Sequence, residues 1–129
     1  MTAPDQKRLK VFVVDDEPIS IDILTTVLQD AGHEVMSDLM GTTAISRIRQ
    51  ERPDVVLTDL QMASVDGFAI CRELRRFPSL RRTKIIVVSA HSAETWRARA
   101  AEAGADGYAE KPIDADRLLG LIADIVARP

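Results

Sequence analysis

Asp15, Asp16 and Glu17 stand in a row directly after the apolar run Leu9–Val14. Asp59 follows the β-branched run Asp54–Thr58, Ser89 closes Lys84–Ser89, and Lys111 follows Gly107–Glu110. If these runs are parallel strands of one sheet, the residues meet beyond its carboxyl edge, where open α/β sheets build their sites. Asp15, Asp16 and Asp59 would repel one another there. A hard divalent cation with oxygen ligands relieves that repulsion, and Mg²⁺ needs only one or two carboxylates besides phosphate oxygens. A carboxylate can also act as a nucleophile and form an aspartyl-phosphate. Lys111 would stabilise charge on a transferring phosphoryl group, and Ser89 would donate a hydrogen bond to it. Each residue alone has a plainer role: turn former or cap for the aspartates, surface charge for Lys111, cap for Ser89. Their coincidence at four strand ends is what points to phosphoryl chemistry on Asp59.

The elements that must position these residues alternate five times along the chain. Leu9–Val14 reads as a buried strand. Pro18 suits the first turn of a helix, on which Ile21, Leu24 and Leu28 recur until Gly32 stops it. Glu34–Leu39 is a weaker strand. Thr42–Glu51 is a helix with Ile45 and Ile48 inward, ended before Pro53. After the third strand, Asp66-Gly67 precedes a helix over Phe68–Phe77 with Ile70, Cys71 and Leu74 as its core face. Lys84–Ser89 is the strongest strand signal. Ser92 can cap a fourth helix running to Ala103, which Gly104 ends. Gly107–Glu110 is the last strand, and Asp114 caps a helix carrying Leu118, Leu121, Ile122 and Ile125. This (βα)₅ alternation requires a parallel sheet covered on both faces, with right-handed crossovers.

Length and composition agree. The chain's 129 residues fit one domain, and a 46% hydrophobic content supports a core. Residues 1–8 read as a flexible tail and 9–129 as the domain. A net charge of −3 argues against a basic nucleic-acid binder. No apolar stretch approaches the roughly 20 residues that span a bilayer, and the N-terminus has no signal-like apolar core. Cys71 is the single cysteine, so no internal disulfide can form. His33 and His91 are the two histidines, too few for a His-rich zinc site. A reducing, cytoplasmic setting fits.

The segments Val13-Val-Asp-Asp-Glu-Pro18, Val55-Val-Leu-Thr-Asp-Leu-Gln-Met62 with Asp66-Gly67, Ile85-Ile-Val-Val-Ser-Ala90 and Gly104-Ala-Asp-Gly-Tyr-Ala-Glu-Lys-Pro112 resemble the receiver domains of two-component signalling. The resemblance covers about residues 9–127. It implies a flavodoxin-like α/β fold with a five-stranded parallel sheet of order 2-1-3-4-5. It implies a regulatory switch, not a metabolic enzyme. Such a switch takes its phosphoryl group from a phosphohistidine on a sensor histidine kinase or histidine phosphotransfer protein. By resemblance Asp59 is the phosphoacceptor, Asp16 a direct Mg²⁺ ligand, Asp15 a ligand mainly through water, and the Gln61 backbone carbonyl a further ligand. Ser89 matches the switch hydroxyl, Tyr108 the switch aromatic, and Lys111 the family's lysine, with a cis bond to Pro112. Gln61 and His91 sit where relatives vary, beside the phosphoryl access route; His91 also reads simply as an exposed loop residue. The family's Met-Pro is Met62-Ala63 here, which should loosen the loop after Asp59.

The resemblance places the output surface on the face of the fourth helix, last strand and fifth helix. A protein target, an effector domain outside this chain, or a weak dimer would use it; no nucleic acid or membrane insertion is expected. On the Ala-rich fourth helix, Ala98, Ala101 and Ala105 form one candidate core stripe and Trp96, Ala100 and Ala103 another. The gap-free match to receivers favours the first stripe and an exposed Trp96. In the window around Glu73, six positive residues (Arg72, Arg75, Arg76, Arg81, Arg82 and Lys84) face that one carboxylate. A solvated surface is the plainer reading there, over a docking patch. Two rival functions remain at this stage. A nucleotide-binding enzyme lacks support, because no G-x-G-x-x-G or P-loop is present. A pseudo-receiver that binds partners without phosphorylation is opposed by the intact acidic set, Ser89 and Lys111.

Overall fold

The computed structural model of the chain describes residues 8–62 and 65–129. Its elements run β1 (Lys10–Val14), α1 (Pro18–Asp30), β2 (Glu34–Asp38), α2 (Gly41–Glu51), β3 (Val55–Asp59) and α3 (Gly67–Arg75). A short 3₁₀ turn (Pro78–Leu80) follows, then β4 (Lys84–Ser89), α4 (Ala93–Glu102), β5 (Gly107–Glu110) and α5 (Ala115–Val126). All strand pairs are parallel, in the order β2-β1-β3-β4-β5. The expected tail lies outside the described residues except for Arg8, and so does Ala63 in the loop after Asp59.

Strand alternation sorts the core into two layers. Phe12, Val14, Val56, Ile85 and Val87 face α2, α3 and α4, where they meet Ala44, Ile48, Ile70, Cys71, Leu74, Ala100 and Ala103. Val11, Val13, Val55, Leu57, Ile86 and Val88 face α1 and α5, where they meet Leu24, Leu28, Leu118, Ile122 and Ile125. The central strands are apolar on both faces because both faces are covered. Burial pushes the Cys71 thiol up to about 12, so this cysteine packs and does not react.

Three details differ from the expectations. The helix after Asp66 ends at Arg75, two residues early, because Phe77 precedes Pro78 and adopts extended φ/ψ of −98° and 114°. Ser92 holds the N-cap position of α4, but its side chain makes no cap bond; Glu110 Oε1 accepts from the Ala93 amide at 2.6 Å instead. The core stripe of α4 is Trp96, Ala100 and Ala103, whereas Ala98 and Ala101 are exposed. The expectation of an exposed Trp96 is therefore wrong. Burial of the large ring against Phe68, at 6.1 Å between centroids, decides between two otherwise equivalent alanine stripes.

At the opposite edge of the sheet, His33 Nδ1 accepts from the Leu9 amide at 3.1 Å, tying the start of β1 to the end of α1. Burial lowers the pKa of this imidazole below 6.5. Its contribution to stability is complete above 6.5 and is lost as pH falls through the lowered value, since protonation removes the acceptor. Denaturant midpoints at neutral and mildly acidic pH should therefore fall more in the wild type than in His33→Asn, whose amide oxygen accepts without titrating. Equal losses would assign the acid sensitivity to other groups.

Candidate functional site

The parallel sheet carries every sequence-predicted chemical residue to one edge. β1 ends at Val14, so Asp15 and Asp16 emerge just past it, while Asp59 and Ser89 are themselves the last residues of β3 and β4. Lys111 follows β5 directly, anchored by its amide donating to the Ser89 carbonyl at 2.7 Å. The Lys111–Pro112 peptide is cis.

Asp15 is 1% and Asp59 7% exposed, so both carboxylates lie out of bulk water. Asp15, Asp16, Glu17 and Asp59 each offer a carboxylate oxygen, all within 4.8 Å of one another. Four hard oxygen donors at this spacing, two of them buried, fit a hard divalent cation such as Mg²⁺. Glu17 was not among the ligands expected from sequence. Its place in the Asp15-Asp16-Glu17 run was the available signal, and a turn brings it in: the Glu17 amide donates to Asp15 Oδ1 at 3.0 Å.

Lys111 is the cation inside this cluster. Its Nζ donates to Asp15 Oδ2 at 2.8 Å, lies 3.7 Å from Asp59 Oδ1, and reaches Ser20 Oγ at 3.3 Å. Burial alone would lower the Lys111 pKa, but the hydrogen bond to Asp15 and the charge of Asp59 outweigh it and hold the ammonium above its usual value. Burial raises the Asp59 carboxyl; the Lys111 charge opposes this and the Asp15 charge adds to it. The Leu60 amide donates to Asp59 Oδ1 at 2.8 Å, which orients the carboxylate. Gly67 is packed against this turn so closely that a Cβ would collide with the Asp59 carbonyl oxygen and lie 2.9 Å from Leu60 Cα. Only glycine allows α3 to start there.

The remaining expected residues stand around this centre. Gln61, two residues past Asp59, is exposed. Ser89 is buried, and its Oγ accepts from the His91 amide at 3.1 Å. His91 is half-buried, not an exposed loop residue, and its ring lies 5.3 Å from that of Trp96. Tyr108 is 5% exposed and donates its hydroxyl to the His91 carbonyl at 2.9 Å. Burial raises the Tyr108 pKa, opposed in part by the Ser89 hydroxyl beside it. The aromatic thus occupies an inner position in the unmodified protein.

Among the described residues, no helix is long and apolar enough to cross a membrane. Comparison with known proteins agrees with this architecture. The family model for the response regulator receiver domain matches residues 11–123. Protein PilH of Pseudomonas aeruginosa is 33% identical over 118 residues, covering 92% of this chain and 98% of that protein. The gliding motility regulatory protein of Myxococcus xanthus is 35% identical over 109 residues; these span 84% of this chain but only 14% of that much longer protein. Among solved structures, the chemotaxis response regulator CheY4 of Vibrio cholerae superposes with a TM-score of 0.84 at 27% identity, covering 92% of this chain and 99% of that one.

Proposed function

This chain belongs to the response regulator receiver domain family of two-component signalling, and from that premise we propose that Asp59 accepts a phosphoryl group from a phosphohistidine. The donor is a sensor histidine kinase or a histidine phosphotransfer protein, and the setting is cytoplasmic. The observation that carries this reading is one buried carboxylate facing three others and a lysine at the carboxyl edge of the sheet.

The chemistry follows from the residues. Asp59 Oδ1 is engaged by the Leu60 amide, which leaves Oδ2 to attack phosphorus. An O–P bond forms as the donor's N–P bond breaks, and the histidine leaves as neutral imidazole after taking up a proton. Mg²⁺ held by Asp15, Asp16 and Asp59, with the Gln61 carbonyl, would neutralise charge on the phosphoryl oxygens. Lys111, already 3.7 Å from Asp59, supplies a second positive charge to them. The Ser89 hydroxyl accepts from the His91 amide, and its proton would turn from Tyr108 to the phosphoryl group. Gln61 and His91 flank the entrance and govern access of water to the acyl phosphate.

Ser89 and Tyr108 link the acceptor to α4. Both hold His91, one at its amide and the other at its carbonyl. A phosphoryl group that draws the Ser89 hydroxyl toward Asp59 shifts this loop and with it the start of α4. That displacement alters the α4–β5–α5 face, which presents the signal to a target protein or effector domain. Trp96 is the only tryptophan, and its ring touches both His91 and Phe68. Beryllofluoride with Mg²⁺ should change its emission, the change should vanish in Asp59→Asn, and it should shrink in Ser89→Ala. A spectrally silent wild type that binds the analogue by calorimetry would refute the coupling.

A further inference from the structure

The end of the molecule opposite the acidic site is densely basic, and the fold makes it more so than the sequence window around Glu73. Arg49 and Arg52 come from the end of α2, Arg76 caps α3, and Arg81 and Arg82 precede β4. All five are exposed. Two contacts bring them together. The Arg49 guanidinium lies 4.0 Å from the centroid of the Phe77 ring, one residue from Arg76. Thr83 Oγ1 donates to the Pro53 carbonyl at 2.8 Å, which sets Arg82 and Arg52 on either side of one hydrogen bond.

These charges do little for the fold. The side chains of Arg52, Arg81 and Arg82 make no hydrogen bond or ion pair among the described residues. Carboxylates on the same segments are already engaged: Glu51 by Lys10 Nζ, Asp54 by the Lys10 amide, Glu73 by Arg76. The helix dipole accounts for cations in the last turns of α2 and α3, but Arg52, Arg81 and Arg82 lie outside both helices. Arg52 also carries a conformational penalty. Its φ is +48°, the left-handed position after a helix that glycine fills without strain, and it is the one non-glycine residue with positive φ among those described.

We propose that Arg52, Arg81 and Arg82, with Arg49 and Arg76, form a docking surface for an acidic polypeptide segment. Guanidinium forks suit carboxylates in pairs. Nucleic acid fits less well: the one aromatic ring at this surface, Phe77, is covered by Arg49, and the chain's net charge is −3. A lipid surface fits less well too, since the exposed large apolar residues, Ile19, Ile23, Leu39 and Met40, lie on α1 and the β2–α2 turn. The surface is at the far end of the sheet from Asp59, so its occupation is independent of the phosphoryl chemistry.

The test is fluorescence anisotropy of a labelled decaglutamate peptide at low and physiological salt. The full chain should bind it, more weakly as salt rises. The combined Arg52→Gly, Arg81→Gln, Arg82→Gln variant should bind about tenfold more weakly with no loss of melting temperature, because glycine relieves the strain at position 52. Asp59→Asn should bind as the wild type does. Absence of binding by the wild type, or equal binding by the triple variant, would overturn the proposal. A single-stranded DNA of equal length that binds more tightly than the peptide would overturn it as well, in favour of nucleic acid.

Discussion

Replacing Asp59 by Asn should raise the melting temperature of the metal-free protein at neutral pH. Asp59 is 7% exposed and shares its pocket with Asp15, Asp16 and Glu17. Burial raises its carboxyl pKa even against the opposing charge of Lys111. A raised value means that the folded state holds the proton more tightly than the unfolded chain. The stability linked to Asp59 is therefore complete below the usual carboxylate value and lost as pH rises through the raised one. At neutral pH the ionised group is a net cost. Asn keeps the shape and the acceptor for the Leu60 amide but removes the charge. The expected gain is roughly 1–3 kcal/mol, the scale of a poorly compensated buried group, or several degrees in melting temperature for a domain of this size. Mg²⁺ should raise the wild-type melting temperature more than that of Asp59→Asn and so narrow the gap. Thermal melts followed by circular dichroism, with and without Mg²⁺, measure both effects. A variant less stable than the wild type would mean that the carboxylates are not in mutual repulsion.

Lys111→Met should act in the opposite direction. Lys111 is 18% exposed by side chain and is bonded at 2.8 Å to Asp15, which is 1% exposed. Methionine fills similar space but leaves the Asp15 charge buried among three other carboxylates. Removing one partner of a buried pair costs about 3–5 kcal/mol, and the partial exposure of Lys111 puts the expected loss near the lower bound. The same variant should respond to Mg²⁺ more strongly than the wild type, because the metal would then be the only positive charge in the pocket. Denaturant titrations at neutral pH, with and without Mg²⁺, read both quantities. A variant as stable as the wild type, with an unchanged Mg²⁺ response, would show that Lys111 does not balance this site.

The site was legible because its determinants are local. Asp59 and Ser89 end strands whose β-branched runs are visible in the chain, and Asp15, Asp16 and Lys111 follow strands directly. Once the strands are parallel, one edge must collect all five residues. The (βα)₅ alternation carried the fold for the same reason: apolar runs bounded by Gly32, Pro53 and Gly104 mark the elements. What stayed hidden depends on contacts distant in sequence. The core face of α4 could not be read from a helix with alanines on both sides; Phe68, from another helix, decides it by stacking on Trp96. The cap of α4 is Glu110, seventeen residues downstream, and not the adjacent Ser92. Ser20 enters the site only because α1 packs beside Lys111. The inner seat of Tyr108 and the half-burial of His91 follow from hydrogen bonds between β5 and the β4–α4 loop, which no local pattern encodes.

The central claim is that Asp59 is the phosphoacceptor. Its most direct measurement is intact-protein mass after incubation with acetyl phosphate and Mg²⁺, in the wild type and in Asp59→Asn. The wild type should gain the mass of one phosphoryl group, the gain should require Mg²⁺ and reverse on standing, and Asp59→Asn should gain nothing. A phosphoryl adduct of equal extent in Asp59→Asn, or none in the wild type with Mg²⁺ present, would contradict the account.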